Sequence, residues 1–341
     1  MRQQYVDAIC REMEMRAIEP ISTVYLGGGT PSQLTIPQLE QIFIYINKVY
    51  GNQAEEVTIE MNPDDVNVGV ATAIKQLGIN RVSMGAQTFD DARLRFLRRR
   101  HSVAQVREAV DTLRHAGIHN ISVDLMYGFP NETINDWQRD VDAALALDVE
   151  HISAYCLMIE EGTVLYKKLK MKDERLKILD EETERAMYEL LIDKLTSAGY
   201  EHYEISNFAR PGYRSRHNSS YWHDVPYIGL GAAAHSYDGK SRSWNVSDLH
   251  QYIEAINQGQ LPCERELLDD DTRYNDRITT ALRTSDGLDL STLPERYRRY
   301  CMKEAERYIA DGLLCLEGHQ LMLTRKGLFV SDMVMSELVC V

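Results

Sequence analysis

Five short apolar or β-branched runs, each ending in polar or glycine-rich residues and followed by helix-spaced sequence, constrain this chain most. The runs lie at 23–26 (TVYL), 57–59 (VTI), 81–84 (RVSM), 121–125 (ISVDL) and 151–157 (HISAYCL). Between them, 37–50, 70–77, 104–116 and 134–147 carry apolar residues at helical spacing. Asn135 and Asp136 lie in the polar entry to the last of these, and Gly117 follows the third as a stop signal. Strands alternating with helices imply a mostly parallel sheet, either doubly wound or closed into a barrel.

The strand endings choose between the two. GGGTP follows the first run, Glu60 with Asn62 and Pro63 the second, and Gly85 with Gln87 the third. Asp124 lies near the end of the fourth, before Tyr127, Gly128, Phe129 and Pro130. A parallel barrel points all carboxyl ends to one rim, where its active site sits. A doubly wound sheet would concentrate such residues at its switch point. Polar endings on successive strands favour the barrel. The glycine run itself is neither a phosphate loop, which needs Gly-Lys-Ser/Thr, nor a GxGxxG fingerprint.

Beyond 157, residues 160–172 and 181–198 read as helices, the second amphipathic through Ala186, Leu190, Leu191 and Leu195. The stretch 200–239 is rich in aromatics, histidine and glycine and reads as loop and short strand. From Cys263 the pattern is helical again, and a GLL…LMLT strand pair before a last helix suggests a small winged-helix-like module. The domain expectation is therefore 1–175 as a partial barrel, 176–262 as a closing helix with an aromatic, His-rich connection, and 263–341 as the C-terminal module.

Charge bears on partners. The 341 residues hold 38 Lys+Arg against 52 Asp+Glu, a formal charge of −14, which opposes nucleic acid or an anionic membrane as the main partner. A winged-helix regulator built on the last module is disfavoured on that ground. No run approaches the roughly 18 apolar residues of a membrane span, so a soluble cytoplasmic protein is expected. Six scattered cysteines, Cys10, Cys156, Cys263, Cys301, Cys315 and Cys340, show no CxxC spacing and suggest buried thiols.

In order along the chain, GGGTP, IEMNPDD, SMGAQTF, RRRHS and DLMYGFP resemble the radical SAM family, in the HemN/HemW branch of oxygen-independent coproporphyrinogen III oxidases and haem chaperones. NFARPG, HNSSYW, GLGAAAHS, LRTSDGLDL and LTRKG extend the resemblance over essentially the whole chain. It implies a partial TIM-type (β/α)6 barrel missing its first strand, plus a C-terminal, mainly helical, winged-helix-like domain.

The resemblance also implies a site. Gly28, Gly29 and Thr30 would meet the methionyl part of S-adenosylmethionine, and Glu60, Gln87 and Asp124 its ribose hydroxyls and amino group. Arg99, chosen over Arg98 and Arg100 by its spacing from Gln87, would meet a carboxylate. Met158 and His235 fall where the family also approaches the cofactor with varying side chains, and neither is assigned. His217, in HNSSYW, would bind haem iron, with His223 and His235 as rivals.

The departure is as informative. Radical SAM chemistry uses a [4Fe-4S] cluster on three cysteines spaced CxxxCxxC, and these 341 residues contain no such triplet. In the family that motif precedes the helix matching 3–16, so an N-terminal truncation is expected in preference to a degenerate paralogue. As written, the chain should not hold the cluster. Two readings follow: a haem chaperone delivering haem to a haem protein, favoured by chain length and HNSSYW, or an oxidase of porphyrin biosynthesis converting propionates to vinyl groups.

Overall fold

The computed structural model describes residues 1–17, 21–163, 166–167 and 177–340. In chain order its first elements are α1 (Arg2–Met15), β1 (Thr23–Leu26), α2 (Ile36–Tyr50), β2 (Glu56–Met61), α3 (Val68–Gln76), β3 (Arg81–Gln87), α4 (Asp91–Phe96), α5 (Val103–His115), β4 (Asn120–Tyr127), α6 (Ile134–Leu145) and β5 (His151–Cys156). There follow α7 (Glu181–Ser197), β6 (Glu201–Glu204), β7 (Asn207–Ala209) and α8 (Arg216–Trp222). All five runs read from the sequence are strands. The helix expected over 160–172 lies largely outside the described residues.

The helices begin where side chains can take up their free amide groups. Thr35 with Gln38, Ser102 with Gln105 and Thr133 with Asp136 form reciprocal caps on α2, α5 and α6. Asn67 and Asp90 cap α3 and α4. In α5, Val106, Ala109, Val110 and Leu113 form one buried stripe.

By compactness the chain divides into two units: Met1–Val24, Leu34–Glu56 and Ser215–Val341 make one, Tyr25–Gln33 and Val57–Arg214 the other. The second carries nearly all of a seven-stranded sheet, in the order β1-β2-β3-β4-β5-β7-β6. From β2 to β5 neighbouring strands are parallel, and β7 joins β5 antiparallel. The order advances from β1 to β5 without reversal, so the winding has no doubly wound switch point. Among the described residues β1 and β6 are the two edges.

Register divides the sheet into two chemical faces. Ile59, Val82, Met84, Ile121, Val123, Leu125, Ile152 and Ala154 alternate to an apolar, buried side. Thr58, Glu60, Arg81, Ser83, Ser122, Asp124, His151 and Ser153 alternate to the other. A parallel sheet buried on both sides normally reads as continuous hydrophobics. Here one face is polar from β2 to β5, and it supplies much of the site described below.

In the first unit, α1 packs on α2 and on the helix Leu249–Asn257. Glu12 of α1 is fully buried. It accepts hydrogen bonds from the Gly231 amide, Asn245 Nδ2 and the Tyr252 hydroxyl at 2.8, 2.7 and 2.6 Å. Cys263–Leu267, expected within a helical stretch, is a strand pairing with Ser241–Asn245. Its side chains are all exposed, so no apolar period marks it in the sequence. The C-terminal module has helices Asp270–Ala281, Glu295–Ala310 and Ser331–Leu338 around a small three-stranded antiparallel sheet, sharing a core of Tyr274, Ile278, Cys301, Leu314 and Leu321. Among the described residues no helix is long and apolar enough to cross a membrane.

Candidate functional site

The carboxyl ends of β1 to β4 and the segment after α4 carry seven of the residues singled out in the sequence. Gly28 and Gly29 follow β1 at φ +70° and +83°, and a Cβ on either would meet nothing within 4 Å. Both adopt backbone angles that favour glycine and leave main chain open to a ligand. Thr30 is exposed, and its carbonyl accepts from the Gln33 amide at 3.0 Å, opening a short 3-10 turn.

Glu60 on β2 faces this loop. Its Oε1 accepts from the Tyr25 hydroxyl at 2.7 Å, and its Oε2 lies 3.3 Å from the Gly28 amide. Asp65, just beyond, fastens the same loop: it accepts from Ser32 Oγ (2.6 Å), Gln33 Nε2 (2.7 Å) and Asn62 Nδ2 (3.3 Å).

Gln87 ends β3 at φ +68°, beyond a shift in register after Met84. Its amide folds back over Gly85, where an added Cβ would lie 2.7 Å from Gln87 Nε2 and 3.6 Å from Arg99 Nη2. Gln87 and Arg99 therefore share the space above Gly85. Arg99 is half-buried and donates to Asn62 Oδ1 at 3.1 Å. Its neighbours differ. Arg98 is exposed, and Arg100 pairs outward with Asp64 and Asp65 at 2.9 and 3.1 Å.

Asp124 sits three residues before the end of β4, with Ser83 Oγ 3.5 Å from its Oδ1. Burial raises its pKa to about 6, Arg81 and hydrogen bonds from Ser153 and Ser83 oppose that rise, and Glu60 adds to it. Below it on the polar face, His151 bonds Ser122 Oγ at 2.8 Å and the Tyr203 hydroxyl at 2.8 Å. Burial, then the charge of Arg81, holds this imidazole well below its usual range, so it stays neutral. The chain thus has a rim with two carboxylates, one amide, one guanidinium and an open glycine backbone. That set suits a ligand carrying an ammonium, a carboxylate and hydroxyls.

His217 belongs to the other unit and is described within it. HNSSYW, expected as loop, forms all of α8 after Arg216, and the helix is capped by Ser215 Oγ, which accepts from the Asn218 amide at 3.3 Å. Seven residues are too few for apolar spacing to reveal a helix. The His217 amide donates to Glu56 Oε1 at 2.9 Å. Its Nδ1 bonds Thr23 Oγ1 at 2.9 Å and its Nε2 the Tyr221 hydroxyl at 2.9 Å. Tyr221 and then Tyr227 extend the contact as edge-on rings 5.1 and 4.7 Å apart between centroids. Of the rivals, His223 is exposed and faces Asp286 at 3.3 Å, while His235 is exposed beside Trp244. Among the described residues no group of three His, Cys, Asp or Glu could hold a metal ion.

Tyr25, Arg81, Ser153 and Asp65 were not singled out in the sequence. Asp65 stands in the PDD turn after β2 and was visible as a strand-end carboxylate. Arg81 and Ser153 gain meaning only from register, which sets them on the Asp124 face.

The chain is similar to known proteins along most of its length. The radical SAM superfamily profile matches residues 2–144 and the HemN C-terminal domain profile residues 268–330. The heme chaperone HemW of Bacillus subtilis is 34% identical over 88% of this chain and 81% of its own. The Mycobacterium tuberculosis heme chaperone HemW is 34% identical over 97% of this chain and 85% of its own. The chain belongs to the HemW family of radical SAM proteins. The fold agrees: coproporphyrinogen III oxidase HemN from Escherichia coli superposes with a TM-score of 0.82 over 99% of this chain and 84% of that one, at 21% identity. Within the HemW family frame, the strand-end rim and the HNSSYW helix are the two features to explain.

Proposed function

We propose that this protein binds haem through His217 and delivers it to a haem-accepting protein, and that the rim after β1 to β4 holds S-adenosylmethionine. The chaperone reading draws on the HemW relatives, whose names carry that activity. The observation that carries it in this chain is the setting of His217. With Thr23 accepting from Nδ1–H, the lone pair falls on Nε2, the nitrogen now shared with Tyr221. A second partner that fixes the tautomer is what metal-ligating histidines use. Moving the Tyr221 hydroxyl aside frees Nε2 for iron, and the neighbouring rings offer apolar surface for a porphyrin face.

For S-adenosylmethionine the residues fit. Arg99 would hold the carboxylate, the open backbone of Gly28, Gly29 and Thr30 the ammonium, and Glu60, Gln87 and Asp124 the hydroxyls and remaining donors. A [4Fe-4S] cluster does not fit these 341 residues. The six cysteines lack the CxxxCxxC spacing, and those at 156, 301 and 10 are drawn inward with thiols that burial holds in the protonated form. No reductive step is assigned to this chain. The acidic composition supports a soluble, cytoplasmic setting.

Haemin titration tests the proposal. The protein should shift the Soret band at a stoichiometric end point, and His217→Ala should lose that shift. Equal binding by the variant removes His217 as the ligand. A form of the protein carrying a CxxxCxxC segment, incubated with S-adenosylmethionine, reductant and coproporphyrinogen III, should give no protoporphyrinogen; its formation would restore the oxidase reading.

A further inference from the structure

Arg81 is 1% exposed, and its Nε has no hydrogen-bond partner. It forms no direct ion pair among the described residues. A buried guanidinium in that state is costly unless a charge nearby compensates it. Register sets it on the same face as two carboxylates: Arg81 pairs with Thr58 and with Asn120, two residues before Glu60 on β2 and four before Asp124 on β4. Arg81 and Ser83 alternate to one face of β3, Ser122 and Asp124 to one face of β4, and Ser83 pairs with Ser122. The Ser83–Asp124 contact of 3.5 Å establishes that the faces coincide.

We propose that Arg81 is a positioning residue for the cofactor site, a buried cation beneath the rim that keeps Asp124 ionised and able to accept hydrogen bonds from the ligand. This rests on the reading of the rim as an S-adenosylmethionine site. The other groups facing Asp124 do not replace Arg81. Glu60 on β2 is a like charge that raises Asp124, Ser83 and Ser153 are neutral donors, and His151 on β5 is kept uncharged. Tyr25 on β1 is held protonated, chiefly by burial and by Glu60. Arg99 is the cation of the rim itself, and the proposed ligand carboxylate claims it. Arg81 touches no ligand. It acts through Asp124.

Without Arg81 the carboxyl of Asp124 keeps its burial and the Glu60 repulsion but loses its main opposing influence. Its titration should move upward, by about one pH unit or more. In the ligand-free protein, carboxyl carbon-13 spectra of aspartate-labelled samples, assigned with Asp124→Asn, read this directly. The wild-type resonance should titrate near pH 6. Arg81→Met should move it up by at least about one unit, and Arg81→Lys should restore the wild-type midpoint. An unchanged midpoint in Arg81→Met overturns the proposal.

Calorimetric binding of S-adenosylmethionine supplies the second arm. Arg81→Met should weaken affinity at pH 6.5 by about tenfold or more, with recovery toward pH 8.5 as Asp124 ionises. A loss independent of pH and not rescued by lysine would mark a purely structural role and overturn the proposal. If the wild type binds no S-adenosylmethionine while Arg81→Met still moves the Asp124 midpoint, the cofactor reading fails and the charge pairing stands. If Arg81→Met does not fold, Arg81→Met with Asp124→Asn, which removes both charges, should. Failure of that double variant to fold overturns the pairing.

Discussion

Tyr25 donates its hydroxyl to Glu60 Oε1 over 2.7 Å, and Gly27 lies against both partners. A Cβ at Gly27 would meet the Tyr25 ring and stand 2.8 Å from Glu60 Oε1. Glycine is required at this position for space, whereas Gly28 and Gly29 are glycine for backbone angle.

Two substitutions separate these contributions. Tyr25→Phe keeps the ring and loses one hydrogen bond to a carboxylate, at a cost of about 1–2 kcal/mol. Gly27→Ala displaces ring and carboxylate together and should cost about 1–3 kcal/mol. Urea denaturation measures both. Gly27→Ala as stable as the wild type would show that the contact relaxes freely. Because Gly27→Ala also moves Glu60, it should weaken S-adenosylmethionine binding more than Tyr25→Phe does.

Asp65 gives a pH dependence with a definite sign. Burial alone would raise its pKa, but hydrogen bonds from Ser32, Gln33, Asn62 and Arg100 together outweigh that and lower it below the usual carboxylate value. A group lowered on folding stabilises the protein above its unfolded pKa, about 3.9, and loses that contribution as pH falls through its folded value. The stability difference between wild type and Asp65→Asn should be full at pH 7 and shrink in acid below about pH 4. A difference that stays constant down to pH 2 would mean the carboxylate charge is not what fastens the loop.

The reach of the sequence follows from the range of the interactions involved. The strands β1 to β5 and helices α2, α3, α5 and α6 were legible because each carries its own apolar period. The helix α4 was not, because Asp91–Phe96 is six residues long and buries only Leu94. The order of strand endings pointed to the rim before any geometry. What stayed hidden was the second layer. Arg81 reads as the start of a strand, and only pairing of β3 with β4 sets it on the same face as Asp124. Glu12 reads as one charge among several on α1, because its partners Gly231, Asn245 and Tyr252 are more than two hundred residues away.

Glu12 is for that reason a sharp stability test. It is fully buried with three hydrogen-bond donors on it and an ion pair to Arg16 Nε at 2.9 Å. Glu12→Ala strands those donors and removes the partner of a cation, a loss of about 3–5 kcal/mol. Thermal unfolding should show a large drop. Glu12→Gln, which retains shape and an acceptor oxygen, should lie between the two. Wild-type stability in Glu12→Ala would mean water replaces the carboxylate in full.

The pair of hydroxyls on His217 makes opposite predictions for its two sides. Thr23 Oγ1 holds Nδ1, so Thr23→Val, equal in shape but without the hydroxyl, releases the tautomer and ring orientation and should weaken haemin binding on the order of tenfold. The Tyr221 hydroxyl occupies Nε2, so Tyr221→Phe removes the competitor while keeping the aromatic face, and haemin should bind as tightly or more tightly than to the wild type. Soret titrations of the two variants beside His217→Ala measure all three. If Thr23→Val binds like the wild type while Tyr221→Phe binds worse, the ligating nitrogen is not Nε2 and the tyrosine hydroxyl itself becomes the candidate ligand.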